Sequence, residues 1–123
     1  MEILILLFLL QCKHWYFDFG IQTYSQTIRK GIYKDPVGIS HSLDHVVGTM
    51  IALSIFHLIH PLSITLILVI ALLEGIAHYH IDFIKVKFGT KNMHSSAFWQ
   101  QFGLDQFAHQ ITYILMIWYL VLR

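Results

Sequence analysis

Cysteine is almost missing from this chain: Cys12 stands alone, which excludes an internal disulfide and any zinc motif built on cysteines. Charge is scarce as well, with 12% charged residues and a net charge near +1. So few cations cannot form the basic surface that binds nucleic acid, and no nucleic-acid partner is expected. Only Pro36 and Pro61 interrupt the sequence, and no repeat or low-complexity segment divides its 123 residues. What replaces the missing polarity argues against an ordinary soluble domain. Hydrophobic residues reach 56%, aromatic residues 15%, and mean hydropathy is positive. The composition indicates one integral membrane domain, with the lipid bilayer as its partner.

Four apolar runs are each near the ~20 residues that a spanning helix needs: 3–27, 40–58, 62–86 and 97–122. The predicted fold is therefore an all-α integral membrane four-helix bundle with antiparallel, up-down topology. The opening "MEILILLFLLQC" could pass for a signal peptide, but it begins with Glu2 rather than a basic residue. Gln11 also stands where a small residue would precede cleavage. It is read as a retained helix. Turn chemistry separates the runs: Gly31, Pro36 and Gly38, then Pro61 at a helix start, then Gly89 as a stop with Ser95 or Ser96 as an N-cap.

Arg29, Lys30, Lys34, Lys85, Lys87 and Lys91 lie in or beside the first and third connections, whereas the short second one has no Lys or Arg. Both basic connections should face the cytoplasm, as expected of a bacterial inner-membrane protein, and both termini should lie outside it. Lys13 and Arg123 run against that pattern.

Nine histidines are the unusual component of so apolar a chain. In "HYHIDFIKVK" and the residues before it, Glu74, His78, Asp82 and Lys85 follow helical spacing and share an arc of about 80°. His80 falls nearly opposite. The first run repeats the pattern with His14, Asp18 and Gln22, the second opens with His41 and His45, and the fourth carries Asp105 and His109. In an up-down bundle, Asp18, His45, His78 and Asp105 then lie within roughly 9 to 15 Å of the cytoplasmic ends, at about 1.5 Å per residue. Their depths agree.

Ionisable groups at this depth must face the interior and find partners. A divalent transition metal is an economical partner for neutral imidazoles and carboxylates on facing helices, zinc first, with manganese or iron as alternatives. The candidate ligands are His14, Asp18, His41, His45, His78, Asp82, Asp105 and His109, too many for one tetrahedral ion, so one or two ions are expected. A single His–Asp pair would more often be hydrogen-bonded glue between helices, and a buried protonatable network without metal is the competing reading. Glu74 lies deepest and could be a ligand or the partner of a histidine, while Asp44 sits on the flank of the His41 and His45 face. His57 and His60 read as interfacial, His94 as solvated, and the aromatic residues as belts or core packing.

The ordered set "HWYFDFGIQT", "HSLDH", "HYHIDFIKVK" and "FGLDQFAH" resembles a family of small bacterial and phage membrane proteins, the domain-of-unknown-function family numbered 3307. The resemblance covers essentially the whole chain. It implies that the family's recurring residues fall on His14, Asp18, Phe19, Gln22, Thr23, His41, His45, His78, Asp82, Lys85, Asp105, Gln106 and His109. The chain departs from the pattern before Asp18, where Tyr16 and Phe17 stand in place of a small residue. The family supplies no established activity; similar small membrane proteins are sometimes labelled metal-dependent hydrolases.

Three functions fit these residues. The first is a metal-dependent hydrolase acting on a lipid or amphiphile at an ester, phosphoester or amide. In it Asp18, Glu74, Lys85, Gln22 and Gln106 are the catalytic candidates, with Lys85 neutralising an anionic head group and the glutamines orienting substrate or water. The second is transport of protons or divalent cations along the same stripe, which would have to continue through an outer half that is nearly all apolar, or through an oligomer. The third is a non-catalytic membrane interaction protein, for instance a phage-encoded one, which has no need of inward His and Asp pairs on every helix.

Overall fold

The computed structural model describes residues 1–122, so Arg123 and its bearing on topology lie outside the described residues. Every regular element among them is helical: α1 (Glu2–Trp15), α2 (Tyr24–Arg29), α3 (Pro36–Phe56), α4 (Ile64–Phe88) and α5 (Ser96–Ile117). Two π-helical turns, Tyr16–Gly20 and Trp118–Leu122, extend α1 and α5.

The first apolar run is not one continuous helix. At Tyr16 the α1 ladder widens, Ile21 N–H donates to Tyr16 O at 3.0 Å, and the helix ends. Three residues later Thr23 and Gln26 start α2 as a reciprocal cap: Gln26 N–H donates to Thr23 Oγ1 at 3.2 Å and Thr23 N–H to Gln26 Oε1 at 2.8 Å. This start signal, with the polar residues Gln22, Thr23, Ser25, Gln26 and Thr27 around it, marks a break that the run 3–27 passes over. α3 begins at Pro36, earlier than its apolar run, because Asp35 Oδ1 accepts from Val37 N–H at 2.9 Å and proline suits the first helical position. Pro61 lies ahead of α4 rather than at its first turn; Ser63 is the cap, accepting from Leu66 N–H at 3.2 Å. Ser95 caps α5 in the same way through Phe98 N–H.

α3 packs against α4 and α1, and α5 packs against α4 and α1. Early residues of α1 and α4 (Leu6, Leu10, Ile67, Ile70) meet late residues of α3 and α5 (Leu53, Phe56, Met116, Ile117) in an apolar core. Beyond it, late residues of α1 and α4 meet early residues of α3 and α5, and there the buried side chains are chiefly histidines and carboxylates, with Lys13 and Ser42 among them. The outer surface inverts the order of a soluble protein, exposing Phe8, Ile51, Ile55, Leu72, Leu73 and Ile76. Three helical segments are long and apolar enough to cross a membrane: Glu2–Gly20, Pro36–Phe56 and Ile64–Phe88. α5 has the length but is diluted by Gln100, Gln101, Asp105, Gln106 and Gln110.

α3 and α4 approach closely where Ser42 Oγ donates to Gly75 O at 2.6 Å. A Cβ at Gly75 would run into Val46 Cγ2, which a β-branched side chain in a helix cannot easily move aside. Gly75→Ala should therefore destabilise the fold by about 1–3 kcal/mol. Gly103→Ala, with nothing within 4 Å of its added methyl, should be neutral or stabilising. Thermal unfolding followed by circular dichroism separates the two.

Candidate metal centre

Asp18 sits in the π-turn, and that turn sets its direction. A π-turn takes more residues per rotation than an α-helix, so the carboxylate is delivered to the bundle axis while α1 is already ending. Its Oδ1 lies 2.9 Å from His45 Nε2, 3.1 Å from His41 Nε2 and 3.5 Å from His78 Nε2. Its Oδ2 lies 3.3 Å from His14 Nε2. Thus one carboxylate meets imidazoles from α1, α3 and α4.

Asp82 forms the second focus. Its Oδ2 is 3.3 Å from His41 Nε2 and 3.2 Å from His78 Nε2, and those two nitrogens are 3.3 Å apart. Ligand atoms held about 2.0–2.1 Å from a tetrahedral ion are separated from one another by roughly 3.3 Å. The triangles Asp18–His41–His78 and Asp82–His41–His78 both have edges of that size. Asp82 Oδ1 continues to His109 Nε2 at 3.6 Å, and His109 Nε2 to Asp105 Oδ1 at 3.7 Å. Three groups therefore have donor atoms close enough to hold an ion: Asp18, His41, His45 and His78; His14, His78 and His109; and Asp82, Asp105 and His109. All are buried. Asp105 Oδ1 and His109 Nε2 have no hydrogen-bond partner among the described residues, an arrangement that a bound cation would complete.

Two lysines balance part of this charge. Lys13 Nζ donates to Glu74 Oε1 at 2.8 Å, and Thr49 Oγ1 donates to Glu74 Oε2 at 3.0 Å. Glu74 is thus engaged by a lysine, with His78 Nδ1 at 3.8 Å. Lys30 Nζ donates to Asp82 Oδ2 at 2.9 Å. Around the rim, Tyr113 OH is 2.9 Å from His14 Nδ1, while Gln106 has Oε1 3.0 Å from His14 Nε2 and donates through Nε2 to Asp105 Oδ2 at 3.1 Å. Gln22 Nε2 donates to Asp18 O at 2.6 Å, which leaves its buried Oε1 without a partner among the described residues.

Two cavities reach this region. One of about 220 Å³ is lined by Asp18, Gln22, Lys30, Lys85, Phe102, Asp105 and Gln106 among others, and its wall is largely polar in residue type. The other, of about 320 Å³, is an apolar cleft between α4 and α5 with Ile81, Ile84, Phe88 and Leu104 in its wall. Lys85 and Asp105 line both. The Lys85 ammonium lies 5.3 Å from the centre of the Phe102 ring and makes no ion pair among the described residues.

The family described as Protein of unknown function (DUF3307) matches residues 5–123. The chain belongs to the DUF3307 family. No curated protein and no solved structure matches it.

In this DUF3307 chain the eight residues chosen as ligand candidates from helical spacing, His14, Asp18, His41, His45, His78, Asp82, Asp105 and His109, come together in one buried cluster. His80 is exposed and contacts Ile76 O, and His94 is exposed in the connection before α5. His57 accepts from Leu62 N–H, and His60 pairs with Glu2, both at the far end of the bundle. Asp44 accepts from Gln26 and ties α2 to α3. Sequence reasoning missed Lys13 and Lys30 as internal charge partners and Thr49 and Tyr113 as their neighbours. Lys30, read from the sequence as a topology mark, is in addition buried against Asp82. The available signal was arithmetic, since four carboxylates pointed inward and no lysine or arginine had been assigned to neutralise any of them.

Proposed function

We propose that this protein is a multi-pass membrane metalloprotein: an antiparallel four-helix bundle in which α5 is the fourth crossing and both termini face away from the cytoplasm. Its centre binds a divalent transition metal, zinc first, with manganese or iron as alternatives. The activity that this supports is hydrolysis of an ester, phosphoester or amide in a lipid or amphiphile drawn from the cytoplasmic leaflet. The observation that carries the reading is the convergence of His41, His45 and His78 Nε2 on Asp18 Oδ1 at 2.9–3.5 Å, deep in an interior otherwise enclosed by apolar surface.

A divalent ion there would supply Lewis acidity and a bound water that ionises near neutral pH. The chain's own residues divide the remaining tasks. Lys85, at the junction of the two cavities, would hold an anionic head group, and the apolar cleft between α4 and α5 would take the attached chain. Gln22 and Gln106 present amide groups to the polar cavity and would orient substrate or water. Transport is less well supported because Leu6, Leu10, Leu53 and Phe56, each fully buried, fill the bundle beyond the centre.

Elemental analysis of detergent-purified protein tests the centre. Bound transition metal should be present in the wild type, absent in His78→Ala and Asp105→Ala, and retained in His80→Ala and His94→Ala. Absence of metal from the wild type after repletion would overturn the reading. A positive result directs the search for substrate to lipid esters, phosphoesters and amides.

A further inference from the structure

A groove of about 220 Å³ runs between α3 and α4, separate from the α4–α5 cleft. Leu43, Val46, Leu72 and Ile76 form its apolar length, and Lys34, Tyr79 and His80 close the end nearer the α2–α3 connection. No carboxylate lines it. Asp35, next to Lys34 in sequence, is already engaged: Arg29 Nε and Nη2 both donate to its Oδ2, and Val37 N–H donates to its Oδ1.

Lys34 is the one residue with a positive φ among the described residues, at 62°. A side chain with a Cβ is strained there, and glycine is the usual occupant. The turn is nevertheless fixed in place. Lys34 N–H donates to Tyr79 Oη at 2.7 Å, and a Cβ at Gly31 would come 2.6 Å from Val86 Cγ1, so the segment presses onto α4. A strained backbone kept where glycine would be relaxed points to a use for the side chain. The Lys34 ammonium makes no ion pair among the described residues and lies 5.9 Å from the centre of the Tyr33 ring. A second cation is close by: Lys87 Nζ lies 5.1 Å from the centre of the Phe83 ring, itself 5.1 Å from that of Tyr33. The Tyr79 hydroxyl accepts from Lys34 N–H, and its own proton has no acceptor among the described residues.

We propose that this groove holds one anionic phospholipid of the surrounding bilayer, its phosphate against Lys34 and the Tyr79 hydroxyl and an acyl chain along Leu43, Val46, Leu72 and Ile76. Charge complementarity carries the choice of lipid. An ammonium and a free hydroxyl with no carboxylate beside them favour a head group of net negative charge. A zwitterionic head group brings its own cation, which finds no anion there. The inference rests on the membrane placement proposed above and is independent of the metal centre.

The test uses full-length protein purified in detergent, mixed with phosphatidylglycerol or phosphatidylcholine and examined by native mass spectrometry. Wild type should retain one phosphatidylglycerol and about fivefold less phosphatidylcholine, the factor expected of one cation beside an anionic lipid. Lys34→Gln should lose that preference and Lys34→Arg should keep it. Lys91→Gln should keep it too, because Lys91 is an exposed cation in the connection before α5 and lies outside the groove. Lys34→Gly should lose the preference while unfolding at no lower a temperature than the wild type, since glycine relaxes the backbone, and misfolding then cannot account for the loss. Ile76→Trp, which fills the groove with Lys34 intact, should retain less lipid. Equal retention of the two lipids by the wild type would overturn the proposal. So would a preference kept in Lys34→Gln or Lys34→Gly, an equal loss in Lys34→Gln and Lys91→Gln, or undiminished retention in Ile76→Trp. Protein that stays in the aqueous phase without detergent would instead overturn the membrane placement, a result distinct from a lack of lipid preference.

Discussion

Asp18→Ala protein should fail to hold metal and should unfold more readily than any single histidine variant. The carboxylate is within 3.5 Å of four imidazole nitrogens, on His14, His41, His45 and His78. Its removal takes away a candidate ligand and leaves His41 and His45 Nε2 without their closest polar partner. Each buried polar group left unpaired costs about 1–3 kcal/mol. Metal affinity should fall on the order of a hundredfold or more, exceeding the loss typical when only a supporting hydrogen bond to a ligand is removed. Asp18→Asn should retain more stability than Asp18→Ala, because one amide oxygen can still accept, yet it should bind metal little better. Calorimetric zinc titration beside thermal unfolding checks both effects. Wild-type affinity in Asp18→Ala would show that Asp18 is not a ligand.

The second large effect belongs to the Lys13–Glu74 pair, buried next to the apolar core with both side chains under 5% exposed. Lys13→Met leaves the Glu74 carboxylate with Thr49 as its remaining close donor, and breaking such a pair from one side costs about 3–5 kcal/mol. Glu74→Met strands the ammonium and should cost a similar amount. The double variant Lys13→Met with Glu74→Met removes both charges and should recover most of the loss, because a buried pair contributes little beyond an apolar replacement. Unfolding in mixed detergent micelles measures all three. If the double variant loses the sum of the two single effects, the pair is not the interaction that matters, and the packing of Lys13 against Gly48 takes its place.

The convergence of the buried histidines and carboxylates was legible in the sequence because helical period and depth are both local properties. His78 and Asp82, or Asp105 and His109, share a face by spacing alone, and their distance from a helix end follows from counting residues. The partners of those residues follow a different rule. Lys30 reaches Asp82 because Gly31 and Gly38 permit a close approach between segments far apart in the chain, and no periodicity within α2 or its connection encodes that. Lys13 is adjacent to His14, so helical rotation turns it away from the ligand face. It is nonetheless buried, because Gly48 leaves room for its stem and Glu74 waits on α4. The break after Gly20 was hidden for another reason: hydropathy has no feature for a widened helical turn, and reading 3–27 as one apolar run passes over the polar residues Gln22, Thr23, Ser25, Gln26 and Thr27 around the cap.

In a polarised membrane, voltage falls mainly across material that holds neither water nor mobile charge, and here that material is the plug of Leu6, Leu10, Leu53 and Phe56. In the orientation proposed above, with the polar cavity on the cytoplasmic side, the centre would sit near the cytoplasmic potential. A divalent ion carried through the whole field would gain or lose about 4.6 kcal/mol at 100 mV. One that enters through the cavity crosses only a small fraction of it. Occupancy of the centre should therefore follow the cell's internal metal concentration and be nearly blind to its energisation.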